Sequence, residues 1–262
     1  VSANQFPEAR SEFTRLTTDI PRNPEVTIAA GLLALQMGDT DMAQSLLKQS
    51  LEFGYQPADT VHYYLGLAAE EKKQPAEAAA YYQQVREGEY LVQARGRQAA
   101  MLVKQGAMAE ARALLAATRT TSDAQKLRLI RAEADLLREA RDYAQAYSVL
   151  SAGLKAYPDS PDLLYDHAMM AEKLNKLDVL EKNLRRVMQM KPDEAQAYNA
   201  LGYTLADRTN RLDEAVQLLD KALSLQAGNA ELRKNHRAVL KLHLDFQIKQ
   251  AVALHQQERL SE

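Results

Sequence analysis

The sequence predicts an all-α solenoid of helix-turn-helix repeats followed by a long C-terminal capping helix. Three observations predict it. Alanine (43) and leucine (38) make up 81 of 262 residues, while Gly (10) and Pro (8) are scarce. That balance favours helices and argues against a β-rich fold. A small residue recurs inside amphipathic stretches at Ala9, Ala43, Ala78, Ala111, Ala146 and Ala215, with Leu180 in the remaining slot, at spacings of 34, 35, 33, 35, 34 and 35. From the second onward each follows another small residue (Gly31, Gly66, Ala99, Ala134, Ala168, Gly202) by 12 or 13 positions. A fixed period of this size is the mark of a repeat architecture.

Each element follows from that register. Residues 1–22 hold only the second helix of a truncated repeat, Phe6 to Thr18. Residues 23–228 hold six helix pairs, expected at 24–37/41–53, 59–72/76–87, 91–104/108–117, 125–139/143–156, 161–174/178–190 and 195–208/212–225. Two antiparallel helices approach closely where side chains are small, and larger apolar residues one turn away fill the grooves. Turns fall at Gly38-Asp39, Gln74-Pro75, Gly106 and Asn210-Arg211. Asp159 and Ser160 before Pro161 mark a helix start. Leu180 predicts a slightly splayed pair, and one extra residue within 206–211 predicts a longer turn. Residues 229–262 read as one long amphipathic helix, because Asn229 to Arg259 contains no Gly or Pro. Its stripe is Leu232, Val239 and Phe246, with Leu242 and Ala253 nearby, and Asn229 caps it. Its expected role is to cover the last repeat; the competing reading is a protruding helix that pairs with another chain.

These residues resemble the tetratricopeptide repeat, a 34-residue helix-turn-helix unit, over roughly residues 1–228. The best match is AYNALGYTLADRTNRLDEAVQLLDKALSL, Ala197 to Leu225, with its Leu201-Gly202 pair, Asp213-Glu214-Ala215 and Ala222. The resemblance implies a right-handed superhelical solenoid that holds a protein or peptide in its concave groove. The run NALGYTLADRTNRLDEAVQLLDKAL, with DLLYDHAMMAEKLNKLDVLEKNLRRVMQMKPDEAQAYNALGY before it, is similar to a group of proteobacterial cell-envelope lipoproteins built from this repeat. That group includes the adaptor of a periplasmic carboxyl-terminal processing protease. The similarity implies a non-catalytic adaptor in the periplasm or at the outer membrane; the alternative is the cytoplasm.

Composition narrows the function. There are no cysteines, which excludes disulfides, thiolate metal sites and cysteine catalysis. No stretch approaches the ~20 apolar residues of a membrane span. A net charge of −2 gives no global attraction to nucleic acid. No nucleotide-binding, metalloprotease or nucleophile-elbow motif occurs, so neither enzyme activity nor a cofactor is expected. His236 and His243 share a helix face but lack a third ligand, so no metal is expected. Glu70-Glu71 reads as a solvated face.

Charge patterning supplies candidate binding residues. Arg95 to Arg141 holds ten Lys or Arg against five acids, 10 − 5 = +5, against −7 elsewhere. Arg97, Arg128, Arg131 and Arg138 fall at first-helix positions that line the groove, and guanidinium forks suit carboxylates. The bland reading pairs Arg131 with Asp135 and Arg138 with Glu139 on a solvated face. Tyr63 and Tyr64 lie on a first helix, where at least one is expected to touch a ligand, while Tyr82 is assigned to packing. Tyr165, Asp166 and Met169, then Asn199 and Tyr203, occupy matching positions. The expected protein-binding set is Arg97, Arg128, Arg131, Arg138, Tyr63, Tyr165, Asn199 and Tyr203, for an extended peptide or protein segment rather than a small metabolite. Self-association through the terminal helices is the second functional expectation.

Overall fold

The computed structural model describes the backbone of residues 11, 12, 15, 16 and 18–261, and side chains as far as residue 257. The helix expected at Phe6 to Thr18 lies largely outside the described residues. Thirteen helices follow Asn23, with no strand among the described residues. They are α1 (Pro24–Gln36), α2 (Thr40–Glu52), α3 (Ala58–Glu71), α4 (Pro75–Gln84), α5 (Leu91–Lys104), α6 (Met108–Ala117) and α7 (Asp123–Glu139). Then come α8 (Tyr143–Ala156), α9 (Pro161–Lys173), α10 (Leu177–Met190), α11 (Ala195–Arg208), α12 (Leu212–Leu225) and α13 (Ala230–Ser261). The chain divides into two compact units, Val1–Leu136 and Leu137–Glu262, with the boundary inside α7.

In the N-terminal unit, α1/α2, α3/α4 and α5/α6 are hairpins, and each packs on the next through α2–α3 and α4–α5. The small residues are where the helices touch. Ala43, Ala78 and Ala111 are fully buried. A Cβ on Gly31 would lie 3.1 Å from Leu47 Cγ, and one on Gly66 would lie 2.4 Å from the Tyr82 ring. Only glycine lets the α3 backbone lie on that ring.

Helix ends are set by local chemistry. Asn23 and Asp39 accept hydrogen bonds from Val26 N and Met42 N, capping α1 and α2. Hairpin turns share one geometry. Gly38, Lys73 and Gly106 have φ of 77°, 57° and 82°. The N–H of the following residue donates back to Ala34, Ala69 and Leu102 respectively. This pair of bonds with one left-handed residue closes a helix sharply. Helix α4 ends at Gln84, short of the expected residue 87. Arg95 explains the early stop: its guanidinium donates to the carbonyls of Tyr82 (2.8 Å) and Val85 (2.7 Å), which a longer helix would use internally. Asp59 then accepts from the N–H groups of Arg86 and Glu87.

The C-terminal unit repeats the plan. Hairpins α9/α10 and α11/α12 stack on α8 and on one another, and their core runs from Leu164 to Val239. Leu180 is buried against a cluster containing Ala168. Ser160 caps α9, as the sequence predicts. Arg141 and Asn175 repeat the left-handed turn, at φ 61° and 56°. The last hairpin departs from it. Helix α11 runs six residues past Gly202 to Arg208, where α3 runs five past Gly66 to Glu71. The extra residue therefore lengthens the helix, not the turn, which keeps three residues in both hairpins and becomes extended at Thr209. Thr209 Oγ1 then accepts from Arg211 N at 3.1 Å.

Helix α13 begins as a cap. Asn229 accepts from Glu231 N and Leu232 N, and Leu232 and Val239 are buried. Packing involves α11 and α12. From Leu244 to Gln257 every side chain is exposed. The first half of the helix thus covers α11 and α12, and the second half projects beyond them.

Candidate functional site

The tyrosines of the N-terminal unit form one cluster. Tyr63 stacks on Tyr90 with ring centroids 4.6 Å apart, and Tyr64 meets Tyr90 edge-on, their hydroxyls 3.0 Å apart. Tyr63 is 9% exposed, which corrects its assignment to a ligand-facing position. Tyr90 precedes α5 outside the small-residue register, so repeat spacing gives no sign that it covers Tyr63. Tyr82 is fully buried, as expected. Its hydroxyl donates to Glu70 Oε1 at 2.5 Å, and Arg97 Nη1 donates to Glu70 Oε2 at 3.0 Å. Burial, then the Glu70 bond, push the Tyr82 phenol above its ordinary range. Glu70 is thus not a merely solvated carboxylate, and Arg97 has an internal acid.

Beside Glu70 the turn-side ends of α3 and α5 leave a cavity of about 410 Å³, lined by Glu70, Lys73, Pro75, Met101, Lys104 and Gln105. Lys73 and Lys104 are exposed and enter no ion pair among the described residues. With Glu70 held by Arg97 and Tyr82, the lining adds two cations that are unpaired among the described residues, beside apolar Met101 and Pro75. Neither Lys73 nor Lys104 belongs to the expected protein-binding set. The signal lies in the register: Glu70 follows Gly66 by four residues and Val103 follows Ala99 by four, so the ends of α3 and α5 stand side by side.

Of the basic residues on α7, Arg128 is exposed. Arg131, Asp135 and Arg138 are each engaged with another group of the protein. In the C-terminal unit, Tyr165 is half-buried against the core, and burial raises its phenol pKa. Asn199 accepts a hydrogen bond from Asn235 of α13 at 3.0 Å, so the cap helix occupies that position. Tyr203 is 43% exposed. Met190 is also exposed.

Three histidines of the C-terminal unit have partners within it. His236 and His243 on α13 face Asp220 (2.7 Å) and Asp213 (3.5 Å) on α12, two pairs in step at seven-residue spacing. His167 is buried, stacked on Tyr147 and bonded to Ser151 Oγ (2.8 Å) and Asn183 Nδ2 (2.7 Å). Burial and nearby Lys176 lower its pKa to about 4. Glu181, Arg185, Arg211 and Glu214 form an ion network between α10 and α12, which holds the Glu181 carboxyl down at about 2. No helix is long and apolar enough to cross a membrane among the described residues.

Stacked helical hairpins with small-residue contacts and a shared turn define a helical-repeat protein whose family members bind other proteins or peptides. The sequence profile of the tetratricopeptide repeat matches residues 28–91, 131–179 and 178–231, and the chain belongs to that family. It is 42% identical over 167 residues to the TPR repeat-containing protein PA4667 of Pseudomonas aeruginosa, covering 64% of this chain and 28% of that protein. The chain thus spans under a third of that relative's length. Among solved structures it is similar to the C-terminal part of a TPR repeat-containing protein from Cytophaga hutchinsonii, with a TM-score of 0.59, 14% identity and coverage of 88% and 95%. It is also similar to pilF of Pseudomonas aeruginosa, with a TM-score of 0.52, 20% identity and coverage of 86% and 97%. At these identities the structural likeness concerns the fold.

Proposed function

We propose that the chain is a non-catalytic scaffold that holds an extended, acidic segment of another protein across the turn-side ends of α3 and α5. The observation that carries this reading is the cavity beside Glu70, lined by Lys73 and Lys104, which are unpaired among the described residues, and by Met101. Two cations suit carboxylates, and apolar Met101 and Pro75 suit a side chain between them. On the resemblance of Asn199 to Leu223 and the residues before it, the scaffold works in the bacterial periplasm or at the outer membrane, recruiting a protease or cell-wall enzyme. Arg128 and Tyr203 offer further exposed contacts, each within its own unit.

A fluorescent peptide of alternating leucine and glutamate tests the site, with its leucine–lysine counterpart as control. The acidic peptide is expected to bind and to weaken with salt, and the basic one to fail. The double variant Lys73→Asn, Lys104→Gln is expected to bind about tenfold less tightly, at roughly 0.7 kcal/mol per exposed cation, with an unchanged melting temperature. Asparagine is chosen at 73 because it tolerates the left-handed φ there. Equal binding by the variant and the native chain would sink the proposal.

A further inference from the structure

We infer that the free half of α13 is a pairing surface for a second copy of this chain, meeting it antiparallel about Ile248. Six of the nine exposed large apolar side chains among the described residues (Leu242, Leu244, Phe246, Ile248, Val252 and Leu254) fall on α13, five of them in its free half, which concentrates the exposed apolar surface on one element. Such concentration on a soluble helix marks an interaction site. The helix contacts its own unit through Leu232, His236, Val239 and His243, which share one side. Leu244, Ile248 and Val252, four residues apart, form a ridge on the side turned away from those contacts. Residues 244–261 extend about 27 Å at 1.5 Å per residue, enough for several turns of pairing.

The ridge itself identifies the occupant. An interface between identical copies across a two-fold axis must be self-complementary. The ridge is nearly palindromic about Ile248: Leu244 four residues before it, Val252 four after. Antiparallel pairing seats each Leu244 on the other copy's Val252 and Ile248 on Ile248. The charges agree. In an antiparallel pair, residues on the same flank of the two ridges meet. Asp245 of one copy then comes about 3 Å along the axis from Lys249 of the other, opposite in sign. An unrelated partner would need no such symmetry.

The absence of native cysteine makes the test direct. The Ile248→Cys variant, oxidised in dilute solution, is expected to form a covalent dimer with itself. The Leu244→Cys variant alone is expected not to, and an equimolar mixture of Leu244→Cys and Val252→Cys is expected to form the mixed dimer. Light scattering of the native chain is expected to show twice the chain mass as concentration rises, and the Ile248→Asp variant the single mass with unchanged helicity. A single mass for the native chain at every concentration, with no Ile248→Cys dimer, would overturn the inference and assign the ridge to a helix from a different chain. A self-linked Leu244→Cys dimer would also overturn it, because it requires a parallel pair or an antiparallel pair centred on residue 244.

Discussion

His167 shows how one side chain couples the C-terminal unit to pH. Asn183 donates to Nδ1, so the proton sits on Nε2 and is given to Ser151 Oγ, whose hydroxyl donates to the Tyr147 carbonyl at 2.8 Å. A second ring proton would face the Asn183 amide hydrogens, and Lys176 lies 3.9 Å over the stacked Tyr147 ring. Both oppose the cation. The folded pKa of about 4 lies below the unfolded value of 6.5, so this group's contribution is complete above pH 6.5 and is lost as pH falls toward 4. Its upper limit is roughly 3 kcal/mol. Denaturant melts between pH 7 and 4 are expected to show that slope, and the His167→Gln variant to lose most of it while being less stable at pH 7. Glu181 acts at lower pH: its contribution is present above 4.5 and is lost toward 2, and Arg211→Ala is expected to flatten that limb. Gly66 is the opposite kind of residue, needed for what it lacks. The Gly66→Ala variant is expected to cost about 1–3 kcal/mol by pressing on the buried Tyr82 ring, read by thermal melting. The same change at Gly96, where a Cβ meets nothing, is expected to stabilise by up to about 1 kcal/mol.

At the scale of elements, helix α13 offers an internal comparison. Leu232→Ala is expected to cost about 2–5 kcal/mol and Leu254→Ala under about 0.5 in dilute protein, because the first side chain is buried and the second exposed. Chemical denaturation of the two variants checks it. The pairs of helices were legible because small-residue spacing and turn residues act locally: Gly38, Gly106 and Ser160 stand where the sequence puts turns and caps. What was not legible depends on distant residues. The end of α4 is set by Arg95 reaching back from α5, and no property of residues 84–87 announces it. The extra residue before Arg211 could enter the turn or the helix, and the threonine bond at 209 accompanies the second outcome. Tyr63 reads as a groove residue until Tyr90 is placed against it. Glu70 reads as solvated until Tyr82 and Arg97 arrive from the neighbouring helices.

At the scale of the whole molecule, the local charge of +5 between Arg95 and Arg141 is a sum that hides its distribution. Arg97 is paired, Arg112 bonds Glu133 at 2.7 Å, and Arg95 is spent on carbonyls. The cations left at a cavity are Lys73 and Lys104, and Lys73 lies outside that basic stretch. Binding of an acidic segment by the proposed scaffold therefore depends on the position of its cations more than on total charge. Hydrogen exchange measured with and without the leucine–glutamate peptide tests it most directly. Slowed exchange is expected to be confined to the turn-side ends of α3 and α5, around residues 70–75 and 101–105. Slowed exchange elsewhere, with those segments unchanged at saturating peptide, would contradict it.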